Sequence, residues 1–467
     1  MSDRSATSEG SDRPAASGTG PLAGLRVVEL SIAIAAPGCG RMLAHFGADV
    51  IKLESRQYPD VVRLVGSAWA RTPEFASLFT ETSPYLSEMN AGKRSLGLEL
   101  KRPEALDAAR RIIADADVFL TNYSTPAVTA LGLGVEALRS INPRLIYLSL
   151  PGFGSQPGTP YYEFISWGPN QAPLVGLDEL SGYPDQEPAG LAAFAAPDHF
   201  AALHAFTSIL TGLEQRDRTG EGAWMDLSQF EVTVSALGPF LLDQQLSGHS
   251  ATRNGNRVSW YAPQGVYPSR GEDRWVAISV KTDQQWAALA GVLDAAGGAD
   301  GTGAVLGGAL AADAALGTLA GRKSAHDDLD QRISAWTAIR SAEEAAARLQ
   351  QVGVAAHAVH DTEAMVMDPQ LREYDWYQVR PSFRFPTGDL FGGGAIRLPD
   401  TPGSWTRGAP GWGEHTVEIL EQLGLSRQDI DRFVEEGIAF TPVEPERPLK
   451  RPYDHTLGPL GLRGGQR

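Results

Sequence analysis

The segment FAAPDHFAALHAFTSIL, residues 194 to 210, places an acid, Asp198, directly after a proline and directly before an apolar run. An acid in that position is either a helix cap or a group that does chemistry. As a cap it accepts hydrogen bonds from the exposed N–H groups of the first turn. As a reagent, a carboxylate is itself an acid that can form an acyl bond, so it can act as a nucleophile on an activated carboxylic acid. The N–H groups and positive dipole end of the helix would then hold it ionised. The residues around Asp198 leave both readings open.

Other reactive groups are sparse. His199 and His204 are five apart, not the four that would stack two ligands on one helix face, so they read as packing or pocket residues. His357 and His360 flank a predicted strand, and with the remaining partners of a metal site missing no metal is expected there. Cys39 is the single cysteine, which rules out an internal disulfide and a Cys-based metal site and fits a reducing cytoplasm.

The elements that must position Asp198 follow an alternating pattern. LRVVEL is β-rich, IAIAAPGCGRMLAHFGA is helical in character and DVIKLE (Asp49 to Glu54) is again strand-like, which together make one βαβ unit. The pattern recurs through SLGLEL, the helix PEALDAARRIIADA, the strand DVFLTNY, a short helix at TPAVTALG and LIYLSLPGFG. This predicts an α/β fold with a doubly wound, Rossmann-like sheet. The first strand is followed by AIAAPGCG and not by a G-x-G-x-x-G turn, so NAD is not expected.

Long helices are predicted at 198 to 215 and 228 to 245, and GVYPSRGEDRWVAISV reads as a hairpin around Arg270 to Asp273. The expected organisation is a disordered tail over 1–20, a large domain over 21–250, a smaller α+β domain over 262–375 and a C-terminal segment, 376–467, that returns to the large domain. The Ala- and Gly-dominated stretch 291–320 reads as a loosely helical insertion or a loop.

Composition narrows the function. The chain of 467 residues carries 56 acidic against 40 basic residues, a net charge of -16, which argues against nucleic acid or an anionic membrane as partner. No run of about 18 apolar residues suggests a transmembrane helix. An anionic ligand must therefore find a local basic pocket.

Several fragments, in order, resemble the family III CoA-transferases, the group that includes formyl-CoA transferase, carnitine CoA-transferase and alpha-methylacyl-CoA racemase. They are LAGLRVVELS, GADVIKLE followed by Asp60-x-x-Arg63, NAGKRSLGLEL, ADVFLTNY, LGLGVEALRSINPRLIYLSLPGFG, RTGEGAWMDLS, and the later RNGN and DPQ. The resemblance implies a homodimer of ring-shaped chains threaded through each other, each with a Rossmann-like large domain completed by its C-terminal segment. It implies an enzyme that moves CoA from an acyl-CoA donor to a carboxylic acid, with acyl-CoA as substrate and no metal or redox cofactor.

By the same resemblance AAFAAPDHFAAL, upstream of RDRTGEG, puts Asp198 at the position of the catalytic aspartate. Tyr162 and Glu163 match a Tyr-Glu pair that supports the reaction in formyl-CoA transferase. The racemase branch has a His where Tyr162 stands, so racemisation is the weaker reading, and a non-catalytic subunit of a mixed pair is another alternative. Lys93 and Arg94 match a K-R-S segment, Arg56 and Arg63 follow the second strand, and Asn122 and Tyr123 match an Asn-Phe pair, all on the CoA side of the site. Ile34 stands where formyl-CoA transferase has Gln, Ala130 where it has Arg, and RNGNRVSWYAPQG lacks its glycine-rich loop.

Overall fold

The structure, a computed structural model, describes residues 20–64, 83–190, 195–299, 309–386 and 388–443, and the side chains of 296–299 are not among them. The chain forms two compact units, one of Met1–Gly176, Leu191–Leu246 and Pro369–Arg467, the other of Leu177–Gly190 and Ser247–Asp368. The expected tail 1–20 falls almost wholly outside the described residues.

The first unit is built on a seven-stranded sheet. Its strands are β1 (Arg26–Leu30), β2 (Asp49–Glu54), β3 (Arg94–Leu98), β4 (Val118–Thr121), β5 (Ile146–Ser149), β6 (Ala223–Asp226) and the late strand β12 (Ala439–Phe440). Their order across the sheet is β12-β3-β2-β1-β4-β5-β6. All neighbouring pairs are parallel except β12, which lies antiparallel on β3. Strands covered on both faces need continuous apolar runs, and VFLT and IYLS are buried at every residue.

Strand order 3-2-1-4-5-6 reverses direction at β1 and β4, and a doubly wound sheet opens a crevice outside the carboxyl ends of its strands at that point. The loop after β1 leads into α1 (Ala35–His45), and the next helices are α2 (Pro84–Asn90), α3 (Pro103–Ala114), α4 (Thr125–Ala130), α5 (Val135–Ile141) and α6 (Gly168–Leu174). The long helix α7 (Ala196–Thr219) lays Ala201, Ala205 and Ile209 against Val27, Val118 and Ile146 in one buried cluster, and ends on Gly220 at φ 81°.

The C-terminal segment forms an antiparallel pair, β10 (Tyr377–Arg380) and β11 (Asp389–Gly392), and then returns to the large sheet through β12. A Cβ on Gly97 would lie 2.7 Å from the Phe440 ring and carbonyl oxygen, so only glycine lets the late strand dock. The helix expected over 228 to 245 is two, α8 (Gln229–Ser235) and α9 (Gly238–Ser247), because Gly238 and Pro239 interrupt it.

The second unit carries a separate antiparallel sheet of β7 (Gln264–Pro268), β8 (Trp275–Ser279) and β9 (Ala355–Ala358). β7 and β8 form the hairpin read from the sequence. Its unit starts at Ser247 rather than near 262, ends at Asp368 and takes in Leu177–Gly190, a segment whose sequence carries no signal of leaving the first unit. Within 291–320, the helix runs on to Ala299, Leu310–Ala312 and Ala314–Gly317 are 3-10 turns, and 300–308 lie outside the described residues.

Candidate active site

Asp198 is not the cap of α7. The cap position belongs to Ala195, held in the left-handed region at φ 50° with no side chain to offer, and Asp198 sits in the first turn beyond it. Its side chain is buried, 7% exposed. A Cβ built on Gly168 would come within 2.0 Å of Asp198 Oδ2, so the carboxylate rests directly on the backbone at the start of α6.

Burial raises the Asp198 pKa from 3.8 to about 6, while Gln229, the residue's own backbone N–H and the Ala35 N–H pull it down without overcoming the burial. The helix start was expected to keep the acid strongly ionised. Desolvation wins because the site is dry, yet about nine carboxyls in ten are still charged at pH 7. Gln229 Nε2 is buried without a well-formed hydrogen bond, but stands close enough to the carboxylate to favour its charge.

The Ala35 N–H is the first of α1, just past the strand-order reversal. The loop that delivers it is fixed from below by a buried charge network. Lys52 Nζ donates to Ser31 O at 2.8 Å and pairs with Asp60 at 3.0 Å, and Asp60 Oδ1 accepts from the Ala33 N–H at 2.8 Å. Asn122 holds the same loop, accepting from Ile32 N and donating to Ile32 O. Ala33 is thereby kept at φ 61°, a conformation an alanine adopts only under such restraint.

Lys93 belongs to this network. It is fully buried and donates to Glu29 Oε1 at 2.8 Å, to Asn90 Oδ1 at 3.1 Å and to the Pro37 carbonyl in α1 at 2.9 Å. Arg63 is likewise buried, bonded to both oxygens of Glu54, and Arg94 is forked onto Asp49 and reaches Glu418. The placement of these three on the CoA side is therefore revised: each is spent on an internal carboxylate. Single-sequence reading took a basic residue at a strand end for a surface cation, whereas the acids that consume these charges, Glu29, Glu54 and Asp49, lie inside strands.

The crevice itself holds a cavity of about 530 Å³ lined by Ser31 and Ile32 after β1, Ser55 and Tyr58 after β2, Lys101 after β3 and Tyr123 after β4. Burial raises the Tyr123 phenol to about 12, so it stays neutral. Lys101 was missed by the sequence reading, although it directly follows the strand run SLGLEL. Its ammonium lies over the Tyr58 ring at 4.5 Å and bonds the Tyr58 hydroxyl. Arg56 is exposed beside the cavity, with its guanidinium on Thr441 O and over the Phe440 ring. Ala130 lines the cavity wall, and the cation that the resemblance puts there is absent.

Neither Tyr162 nor Glu163 is among the groups that hydrogen-bond to Asp198 or shift its pKa. Tyr162 is half-buried and Glu163 is exposed. Their loop instead presents Phe164, Ile165 and Trp167 to solvent.

Gly168 is the residue nearest to Asp198 that sequence reading passed over. Its only signal was a glycine in SWGP. Gly168→Ala must displace the carboxylate, and a displacement on the order of 1 Å costs roughly a hundredfold in turnover. The expected result is a kcat about a hundredfold lower with acyl-CoA binding retained, measured by steady-state kinetics and by calorimetric titration.

This geometry agrees with what the chain is similar to. The pattern described as CoA-transferase family III matches residues 22–416. A succinate–glutarate CoA-transferase of Agrobacterium fabrum is 30% identical over 407 residues, covering 86% of this chain and 96% of that protein. A succinyl-CoA–D-citramalate CoA-transferase of Chloroflexus aurantiacus is 29% identical, covering 88% and 96%. The crystal structure of a CaiB/BaiF family protein from Brucella suis superposes with a TM-score of 0.76 at 28% identity, covering 87% of this chain and all of that one. The chain therefore belongs to CoA-transferase family III, and its activity is the transfer of CoA.

Proposed function

We propose that the protein moves CoA from a dicarboxylic acyl-CoA, of the succinyl-CoA type, to a second carboxylic acid through an aspartyl-CoA thioester on Asp198. The observation that carries this reading is the Asp198 carboxylate itself, buried on Gly168 among N–H donors at the starts of α1 and α7. An Asp198 oxygen attacks the donor thioester carbonyl, a C–O bond forms, the C–S bond breaks and CoA leaves as thiolate. The thiolate then attacks Cγ of Asp198, which becomes a thioester as the donor acid departs as carboxylate. The acceptor acid repeats these steps in reverse.

Charge moves onto an Asp198 oxygen each time Cγ is attacked. The Ala35 and Asp198 N–H groups and Gln229 stand beside the carboxylate in the ground state, placed to stabilise the tetrahedral species. Ser166 Oγ and Gln171 Oε1 are further buried polar atoms without a hydrogen-bond partner among the described residues, and both residues border Gly152. The Ser166 hydroxyl can donate to the distal carboxylate of a dicarboxylic acyl group, the class named in the relatives' succinate, glutarate and citramalate substrates, whereas Gln171 Oε1 only accepts.

CoA's nucleotide fits the crevice cavity, with Tyr58 and Tyr123 against the base and Lys101 and Arg56 toward the phosphates. Lys101→Ala should raise KM about equally, by roughly tenfold, for every acyl-CoA donor and leave kcat unchanged, since a contact remote from the acyl group is felt by all donors alike. A change confined to one donor would count against this placement.

We also read the active species as an interlocked homodimer. The helix α9 has no buried residue, and Phe240, Leu241, Leu242 and Leu246 stand open on it, an apolar face that a single chain leaves in water. Sizing at nanomolar concentration should give one species near 100 kDa, twice the 49.9 kDa chain. An active monomer would contradict it. With no helix among the described residues long and apolar enough to cross a membrane, a cytoplasmic setting suits the acyl-CoA substrate.

The experiment for the activity is incubation with succinyl-CoA and a panel of carboxylic acids, read by mass spectrometry. New acyl-CoA species that need an acceptor acid support transfer. Exchange of the α-proton of a branched acyl-CoA in deuterated water, with no acceptor present, would favour the racemase reading instead.

A further inference from the structure

We infer that the second unit carries a binding site for one borderline divalent cation of the Zn²⁺ class, built from His357, His360 and Asp368. Residue spacing alone does not single out a third ligand for the two histidines. Folding supplies it: one donor atom from each of the three side chains lies within 4.8 Å of the others. All three belong to the same compact unit, and Asp368 is its last residue.

The backbone that carries these groups is held firmly. His357 lies on β9 opposite Ala277 of β8, and the Val359 N–H just beyond it donates to Trp275 O at 2.8 Å. The chain then enters the helix Thr362–Met367, capped by Asp361, whose carboxylate also pairs with Arg274 at 2.6 Å. That pairing occupies Asp361, the acid next to His360 in the sequence. Asp368 closes this helix, so the strand end and the helix end aim two imidazoles and one carboxylate at a common point.

The ligand chemistry is set by a second contact. His357 Nδ1 lies 2.7 Å from the Ala358 carbonyl, so Nδ1 carries the proton and donates it. Nε2 is then the ring nitrogen open to a metal, on a ring oriented by a backbone acceptor as metal-bound histidines commonly are. The His360 ring stands 5.0 Å away at 66°, edge toward face. Two imidazole nitrogens and one carboxylate oxygen suit Zn²⁺, Ni²⁺ or Co²⁺ in preference to Ca²⁺ or Mg²⁺, which favour all-oxygen shells.

Donors around a tetrahedral zinc stand roughly 3.4 Å apart, given bonds of about 2.1 Å. Closing from 4.8 Å asks for about 1.4 Å, within reach of side chains that are exposed, as His357 is, or half-buried, as His360 and Asp368 are. Three protein ligands leave a position for water or a small anion. The bound ion would tie the end of β9 to the point where the chain leaves the unit. This site is independent of Asp198 and of the transfer reaction.

The test uses the full-length protein, stripped with chelator and titrated with Co²⁺ while its visible ligand-field absorption is followed, then challenged with Zn²⁺. The inference predicts absorption that saturates at one Co²⁺ per chain and is abolished by Zn²⁺. His357→Ala and His360→Ala should each weaken binding by about 10- to 100-fold, and Asp368→Asn should weaken it too. His249→Ala, at an exposed histidine away from the cluster, should bind as the wild type does. Should an alanine variant melt early, the glutamine variant at that position, which keeps bulk but offers no imidazole, is read in its place. Absorption without saturation at one equivalent, or unchanged binding in both histidine variants, would overturn the site.

Discussion

Asp198→Asn is expected to lower turnover by roughly four orders of magnitude or more, because an amide in place of the nucleophile cannot form the acyl bond and residual rates come from binding alone. The same change should stabilise the protein. Burial lifts the native pKa to about 6 from 3.8, so the native advantage of the protonated form is complete below about pH 4 and is lost as pH rises through 6. Above that the wild type bears the whole cost of a dry carboxylate, about 3 kcal/mol, and asparagine bears none. Denaturant melts at pH 8 should therefore show the variant more stable by about 1–3 kcal/mol, with the gap closing toward pH 4. Wild-type turnover should fall with protonation of Asp198 below about pH 6. A helix cap predicts the reverse, a stability loss of about 1 kcal/mol with activity kept.

Lys93→Met carries the second large effect, and it separates a structural ammonium from a CoA contact. Burial lowers Lys93 to about 8 even with Glu29 beside it, so the charge is kept at a cost. It is still not dispensable. Without it, among the described residues Glu29 retains the 3.5 Å contact to Lys52 and the Ser31 hydroxyl, and the Pro37 and Asn90 oxygens lose this donor. Removing one partner of a buried pair costs about 3–5 kcal/mol. Turnover should fall with stability, because the network fixes the loop that presents the Ala35 N–H to Asp198. Replacing Glu29 by Gln in the same chain should return part of the loss, since the uncompensated carboxylate is then gone. A stable Lys93→Met protein with KM raised equally for all donors would return Lys93 to the CoA surface.

Much of the fold was readable because its signals are local. Runs such as RVVEL and DVIKLE, and a helix such as PEALDAARRIIA led by proline, declare themselves by period and punctuation. Asp198 stood out as an acid between a proline and an apolar run, and the resemblance to family III CoA-transferases, with RTGEG downstream, singled it out as the candidate nucleophile.

What stayed hidden depends on pairing across the chain. Lys52, Lys93 and Arg63 look like any surface cations until the sheet sets Glu29 and Glu54 beside them, which no single stretch of sequence reports. Gly168 and Gln229 meet Asp198 only through the packing of three separate segments. The excursion Leu177–Gly190 is of the same long-range kind, whereas His357, His360 and Asp368 lie within one short stretch and are brought together by the turn from β9 into the helix Thr362–Met367.

The central claim is that Asp198 becomes covalently acylated, and peptide mapping after chemical trapping tests it most directly. Wild-type protein incubated with an acyl-CoA donor and then treated with hydroxylamine or borohydride should yield a modified peptide containing Asp198. The Asn variant, treated alike, should yield none. An unmodified Asp198 peptide from wild-type protein during active turnover, or an Asp198→Asn enzyme working near the wild-type rate, would contradict the account.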